Sequence, residues 1–162
     1  MKNFRNIKEI HSACRKCKSC NLSTSRNNVV VAKGNPEAKM FIIGEAPGEK
    51  EDITGFPFVG RAGKMLDAVL ESVDIDPLND CYITNIVKCR PPENRRPSSS
   101  EIKSCISWLD TQIEYLKPAI VILAGSTAVE GYLGIKEPIT KIRDEPMMYL
   151  FITKFTSFKI QN

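Results

Sequence analysis

Short apolar runs of β-forming residues alternate along this chain with stretches whose apolar residues recur at helical spacing, and that alternation leaves few folds open. Val29-Val30-Val31, Met40-Phe41-Ile42-Ile43 and Ala119-Ile120-Val121-Ile122-Leu123-Ala124 read as buried strands, the second ending at Gly44 and the third at Gly125. Cys81 to Val87 reads as another. Between them, Phe4, Ile7 and Ile10 predict a short helix leading into a group of cysteines, and Ala62, Met65, Leu66, Val69, Leu70 and Val73 predict an amphipathic helix. Ser98-Ser99-Ser100-Glu101 offers N-cap choices for a helix carrying Ile102, Ile106, Leu109 and Ile113, with Pro118 just beyond it. Gly125 and Ser126 open a further short helix toward Leu133. The expected fold is α/β, a three-layer sandwich with a central, mostly parallel sheet. Such sheets bind ligands beyond the carboxyl ends of their strands, which directs attention to the long loop from Gly44 to Val59.

A chain of 162 residues suits one domain, 1–162, and shows no internal repeat. Its 42% hydrophobic and 26% charged residues exclude collagenous and disordered classes. A formal net charge of +4 leans toward an anionic partner without deciding one. The opening MKNFRNIKEI lacks the apolar core of a signal peptide, and no run approaches the roughly 18 to 20 apolar residues of a membrane span, so a cytoplasmic location is expected. In that reducing compartment six cysteines point to metal ligation or buried thiols rather than disulfides.

Three of those cysteines form the run Cys14-x2-Cys17-x2-Cys20, with Cys89 and Cys105 far downstream and Cys81 inside an apolar strand. Four thiolates suit an iron–sulfur cluster or zinc, and spacing alone does not say which four ligate. Gly44-Glu45-Ala46-Pro47-Gly48-Glu49-Lys50-Glu51-Asp52 follows a strand directly. The segment is too acidic to cradle a phosphate unless a metal intervenes and lacks the Gly-Lys-Ser/Thr ending of a P-loop, and by its charge pattern it reads as a solvated acidic turn. Lys88, Arg90, Arg95 and Arg96 line a Pro-rich loop suited to gripping phosphates, or one that is merely solvated.

Taken in order, Cys-Arg-Lys-Cys at 14–17, GEAPGEKED at 44–52, PFVGRAG at 57–63, YITNIVKCRPPENRRP at 82–97 and the segment from Glu101 to Cys105 resemble the successive motifs of family 4 uracil-DNA glycosylases, the iron–sulfur branch of that superfamily. The resemblance implies a 4Fe-4S cluster on Cys14, Cys17, Cys89 and Cys105, with Cys20 and Cys81 as bystanders. It implies DNA containing uracil as the partner, and a monomeric enzyme of base excision repair. Such an enzyme extrudes the nucleotide into a pocket. By resemblance Phe58 stacks on the uracil and Asn85 reads it, one amide accepting from N3–H while donating to O4. Glu45 is then the catalytic residue, orienting water and answering the positive charge on the sugar. Gly44, Ala46, Pro47 and Gly48 complete the substrate-binding segment. No lysine occupies a nucleophile position in these motifs, so water is the expected nucleophile and no lyase step follows.

In one respect the chain departs from the pattern. Those glycosylases carry a histidine in a His-Pro motif near the C-terminus, whereas the only histidine here is His11, expected as a surface or cap residue of the first helix. Ile139 to Arg143 still looks family-like, but the divergent tail 144–162 ends FITKFTSFKIQN. A truncated or frame-shifted gene copy would account for it. Loss of an anion-stabilising donor costs on the order of 10² to 10³ in rate, so the rival expectations are an inactive paralogue, a non-catalytic iron–sulfur DNA-binding domain like that attached to some phage polymerases, or a zinc-stabilised binding module.

Overall fold

The computed structural model describes residues 4–137. Among the described residues five α-helices and four strands follow one another, beside two short 3-10 turns, beginning with helix α1 (Ile7–Arg15), strand β1 (Lys33–Gly34) and strand β2 (Met40–Gly44). Helices α2 (Glu49–Thr54) and α3 (Arg61–Glu71) precede strand β3 (Cys81–Asn85), helix α4 (Ser99–Leu116), strand β4 (Ile120–Leu123) and helix α5 (Ser126–Leu133). The sheet order is β1-β3-β2-β4, with β1 antiparallel and the rest parallel. This is the mostly parallel α/β sheet that the alternation predicts. Ile139 to Arg143 and the divergent tail lie outside the described residues.

Side-chain alternation along the strands divides the interior into two layers. On one face Phe41, Ile43, Tyr82 and Val121 pack with Cys14 of α1, Cys105 and Leu109 of α4 and Ala128 of α5. On the other, Ile42, Cys81 and Ile83 meet Leu70 and Leu66 of α3. Cys81 is thus remote from the other thiols, in the α3 layer.

Local chemistry sets the helix ends. Asn6 caps α1 by accepting from Glu9 N–H at 3.0 Å, and Ser98 caps α4 while the Glu101 carboxylate reaches back to Ser98 N–H at 2.7 Å. Of the N-cap choices at 98–100, Ser98 is the one used.

Four expectations need correction. Val29–Val31 is buried but is not a ladder strand; Val30 N–H donates to the Lys88 carbonyl at 2.8 Å, and the antiparallel strand comes later, at Lys33–Gly34. The loop after Gly44 encloses helix α2. The apolar arc of α3 is wider than the sheet face it covers, so Leu66 and Leu70 pack inward while Met65, Val69 and Val73 stay exposed. His11 is no cap: it is half-buried, and its Nε2 lies 2.7 Å from the Tyr82 hydroxyl, which also accepts from Gln112 Nε2 at 2.8 Å. Tyr82 leaves the sheet toward α1 and so draws the imidazole inward. Among the described residues no helix is long and apolar enough to cross a membrane.

Burial, with the charges of Arg15 and Lys88 nearby, lowers His11 from 6.5 to about 4. The unfolded chain therefore binds this proton more readily than the folded one. The linked stability is fully present above the unfolded pKa of 6.5 and declines as pH falls from there toward 4. Urea unfolding should show wild type losing stability over that interval to a greater extent than His11→Gln; equal losses would remove His11 from the pH dependence.

Candidate active site

Strands β2 and β3 run parallel and in register, so Gly44 and Asn85 end side by side at the carboxyl edge of the sheet. The pairing continues past the regular strands, with Ile86 N–H donating to the Gly44 carbonyl at 2.8 Å and Val87 N–H to the Glu45 carbonyl at 3.1 Å. Phe58, from the loop between α2 and α3, folds over the same point. A Cβ placed on Gly44 would stand 2.5 Å from Asn85 Oδ1 and 2.5 Å from Phe58 Cζ. Only a residue without a side chain fits beneath both groups. Asn85 is buried and Phe58 half-buried, which suits an amide with one edge turned to a small site and a ring with one face available.

Glu45 follows immediately and is half-buried. Its Oε2 accepts a short hydrogen bond from the hydroxyl of Thr127, a buried residue in the first turn of α5. Ala46, Pro47 and Gly48 lead into α2, and Pro47 is buried. The structure therefore brings Gly44, Glu45, Phe58 and Asn85 together at one strand end. A separate cleft of about 590 Å³, lined by residues including Lys33, Phe56, Val59, Asp67 and Leu78, holds none of those four.

The thiols form a second cluster, on the α1/α4 side of the sheet. Cys14, Cys89 and Cys105 are buried in one apolar layer with Cys20 packed against it, and Cys14 feels the charges of Cys17, Cys89 and Cys105. All six cysteines are free thiols. Among the described residues no three His, Cys, Asp or Glu side chains stand at metal-holding distance, so the thiols share a neighbourhood without being drawn onto one point. Burial pushes Cys14 up to about 12 and Cys89 to about 11, and raises Cys105 as well. Cys17 is more exposed; burial raises it, but hydrogen bonds to Ser19 and Trp108 and the Arg26 charge outweigh that, and it ends below its ordinary value.

Cationic and N–H donors face this cluster. Arg26 Nη1 donates to Cys89 Sγ at 3.0 Å and its Nη2 to the Cys17 carbonyl, while Lys88 N–H donates to Cys105 Sγ at 3.3 Å. Soft thiols met by a guanidinium, a buried ammonium and a backbone amide fit a metal–thiolate centre carrying net negative charge.

Lys88 corrects the reading of the basic loop. It is 1% exposed and donates to Thr84 Oγ1 and the Asn85 carbonyl, both at 2.7 Å, so it cannot grip a phosphate. Burial lowers its ammonium to about 8 against the raising effect of the nearby cysteines. The three arginines are exposed or partly so but engaged: Arg95 forks onto Glu101 at 2.7 and 2.9 Å, Arg96 pairs with Glu130, and Arg90 bonds Asn94 at 2.8 Å.

Sequence reasoning missed Thr127, whose partner lies 82 positions away, and the carboxylate of Glu51. For Glu51 a signal existed, since Gly48-x-x-Glu51 has the spacing of a helix-opening box.

The profile of the Uracil DNA glycosylase superfamily matches residues 31–160. A type-4 uracil-DNA glycosylase of Thermotoga maritima is 44% identical over 137 residues, covering 84% of this chain and 71% of that protein. Those of Saccharolobus solfataricus and Sulfurisphaera tokodaii are 47% and 38% identical, over 85% and 95% of this chain. The chain spans 66% to 71% of the length of these three relatives. It belongs to the type-4 uracil-DNA glycosylases.

The seat of Phe58 is testable through Gly63 of α3. A Cβ there would lie 2.0 Å from the Phe58 carbonyl oxygen and 2.1 Å from its carbon, both backbone atoms. Gly→Ala inside a helix ordinarily stabilises by up to about 1 kcal/mol, but here overpacking should reverse the sign and cost about 1–3 kcal/mol. Denaturant unfolding of Gly63→Ala measures this, and an unchanged or raised midpoint would contradict the packing described.

Proposed function

We propose that this chain hydrolyses the N-glycosidic bond of uracil in DNA, opening base excision repair, and that Gly44, Glu45, Phe58 and Asn85 do the work. The observation that carries this reading is the approach of the Phe58 ring and Asn85 Oδ1 to the bare Cα of Gly44, one residue before a carboxylate. A pocket for a planar ring, with one amide at its edge, suits a flipped base. The Asn85 amide accepts from uracil N3–H and donates to O4; cytosine presents the opposite pattern, and each mismatched bond loses about 1–3 kcal/mol. Phe58 supplies the stacking face.

Bond cleavage builds positive charge on the sugar and negative charge on the base. The Glu45 carboxylate answers the first and orients the attacking water, and the Thr127 hydroxyl holds that carboxylate in one rotamer. Ala46, Pro47 and Gly48 border the base, with the backbone amide of Ala46 as a donor toward it. No covalent enzyme–sugar step is required.

Cys14, Cys17, Cys89 and Cys105 would hold a 4Fe-4S cluster, supported by the donors Arg26 and Lys88 around them. Its chemistry there would be structural: thiolate ligation would tie α1, the turn after it, the segment following β3 and α4 together. The reading carries with it a reducing, cytoplasmic setting in which those thiols stay available for ligation, and a chain acting as a monomer.

The placement of His11 favours a second reading, a non-catalytic iron–sulfur DNA-binding domain. Bound to Tyr82 in the α1 layer, His11 does not join the group at Gly44. Excision from a uracil-containing oligonucleotide decides between the two. The catalytic reading expects measurable release of uracil, falling about 10²-fold in Glu45→Gln, with Asn85→Asp shifting preference toward cytosine. Salt-sensitive DNA binding without release would establish the second reading instead.

The ligand set has its own test. Replacing Cys14, Cys17, Cys89 or Cys105 with serine should abolish iron retention in anaerobically purified protein, whereas Cys20→Ser and Cys81→Ser keep it. Iron lost from Cys20→Ser but kept in Cys89→Ser would overturn the assignment. Colourless protein containing zinc would replace the cluster with a zinc site.

A further inference from the structure

The acidic segment after Gly44 is not left to solvent. Glu51, in the first turn of α2, turns its carboxylate onto three backbone amides: Oε2 accepts from Gly48 N–H at 3.1 Å, and Oε1 accepts from Val59 N–H at 3.0 Å and Gly60 N–H at 2.7 Å. Gly48 opens α2. Val59 and Gly60 directly follow Phe58 and open α3.

Phe58 has reason to need such a hold. Its φ is +54°, in the left-handed region that a bulky L-residue occupies only when its surroundings impose it. From the other side, Lys33 Nζ donates to the Phe58 carbonyl at 3.0 Å. That lysine is nearly buried, with a side chain 10% exposed, and its charge is matched by Asp67 at 3.2 Å. The peptide following Phe58 is thus gripped at both ends, by a carboxylate on the N–H of Val59 and by an ammonium on the Phe58 carbonyl.

We propose that Glu51 is a positioning residue for base recognition, holding Phe58, with Lys33 opposite, in the conformation that lays its ring over Gly44 beside Asn85 before any base arrives. The proposal rests on the reading of Phe58 and Asn85 as the base-contacting pair. Preorganisation of one stacking face acts on discrimination between bases and leaves phosphate contacts alone. Three N–H donors also call for a group that only accepts; in glutamine the amide NH₂ would oppose at least one of them.

The test uses the full chain, amide exchange and binding to a single-stranded oligonucleotide carrying a cleavage-resistant 2′-fluorinated deoxyuridine, with the matching cytosine strand as reference. Glu51→Ala should lower the uracil preference about tenfold, within the range for loss of one base–aromatic stack. Affinity for the cytosine strand should be unchanged, and the Val59 and Gly60 amides should lose protection, with Glu51→Gln intermediate. In a Phe58→Ala background, Glu51→Ala should remove nothing further from the preference. Lys33→Met, which reaches Phe58 through a single donor, should reproduce the loss and serves if Glu51→Ala does not fold. Unchanged preference in both Glu51→Ala and Lys33→Met, or a loss of the same size without Phe58, overturns the proposal alone. A wild-type chain with no uracil preference at all overturns the base-pocket reading and the proposal with it.

Discussion

The parallel pairing of β2 with β3 is the constraint on which the rest depends. Its register places Gly44 opposite Asn85, and two further backbone bonds carry the alignment on through Glu45. A slip of one residue would send Asn85 to the opposite face and put a side chain beneath the Phe58 ring. The same strand end runs on through Ile86 and Val87 to Lys88 and Cys89, so one stretch of backbone reaches the group at Gly44 and the thiol cluster in succession. The central strands owe their alignment to apolar alternation on two buried faces, which makes the chemistry at their ends a consequence of core packing.

Burying Lys88 sets the electrostatic character of the interior. An ammonium removed from water is expensive unless its hydrogens are satisfied, and Thr84 and the Asn85 carbonyl take two of the three. It thereby links the backbone of Asn85 to a region rich in thiols. Arg26 approaches the same region from the opposite end of the chain, so positive charge from two distant segments converges where thiolates would form.

Much of this arrangement was legible in the sequence because burial and periodicity are local signals. β2 and β4 are apolar runs closed by glycine, and α4 announces itself through Ser98 and Glu101. Val29–Val31 was misread because burial looks the same whether or not a segment joins a ladder. Helix α2 stayed hidden because it is short and acidic, with no apolar stripe. Lys88, grouped with Arg90, Arg95 and Arg96, reads as part of a loop that grips phosphates or is solvated; its place within Ile86-Val87-Lys88-Cys89, an otherwise apolar run, is the contrary sign. The Thr127–Glu45 contact had no local signature, because α5 reaches that carboxylate only after the sheet has formed.

Glu51 has a neighbour with a different attachment. Asp52, 1% exposed, accepts from the backbone N–H groups of Asn27 and Asn28 and from the Asn27 side chain at 2.7–3.1 Å. Consecutive residues therefore anchor one short helix in two directions, toward the Phe58 turn and toward the chain next to Arg26. Surface loops usually tolerate insertions and deletions. Between Asp52 and Val59, however, an added or lost residue would carry the Val59 and Gly60 amides away from the Glu51 carboxylate while Asp52 still held α2 to Asn27 and Asn28, so this segment should vary in composition at its exposed positions while its length stays constant.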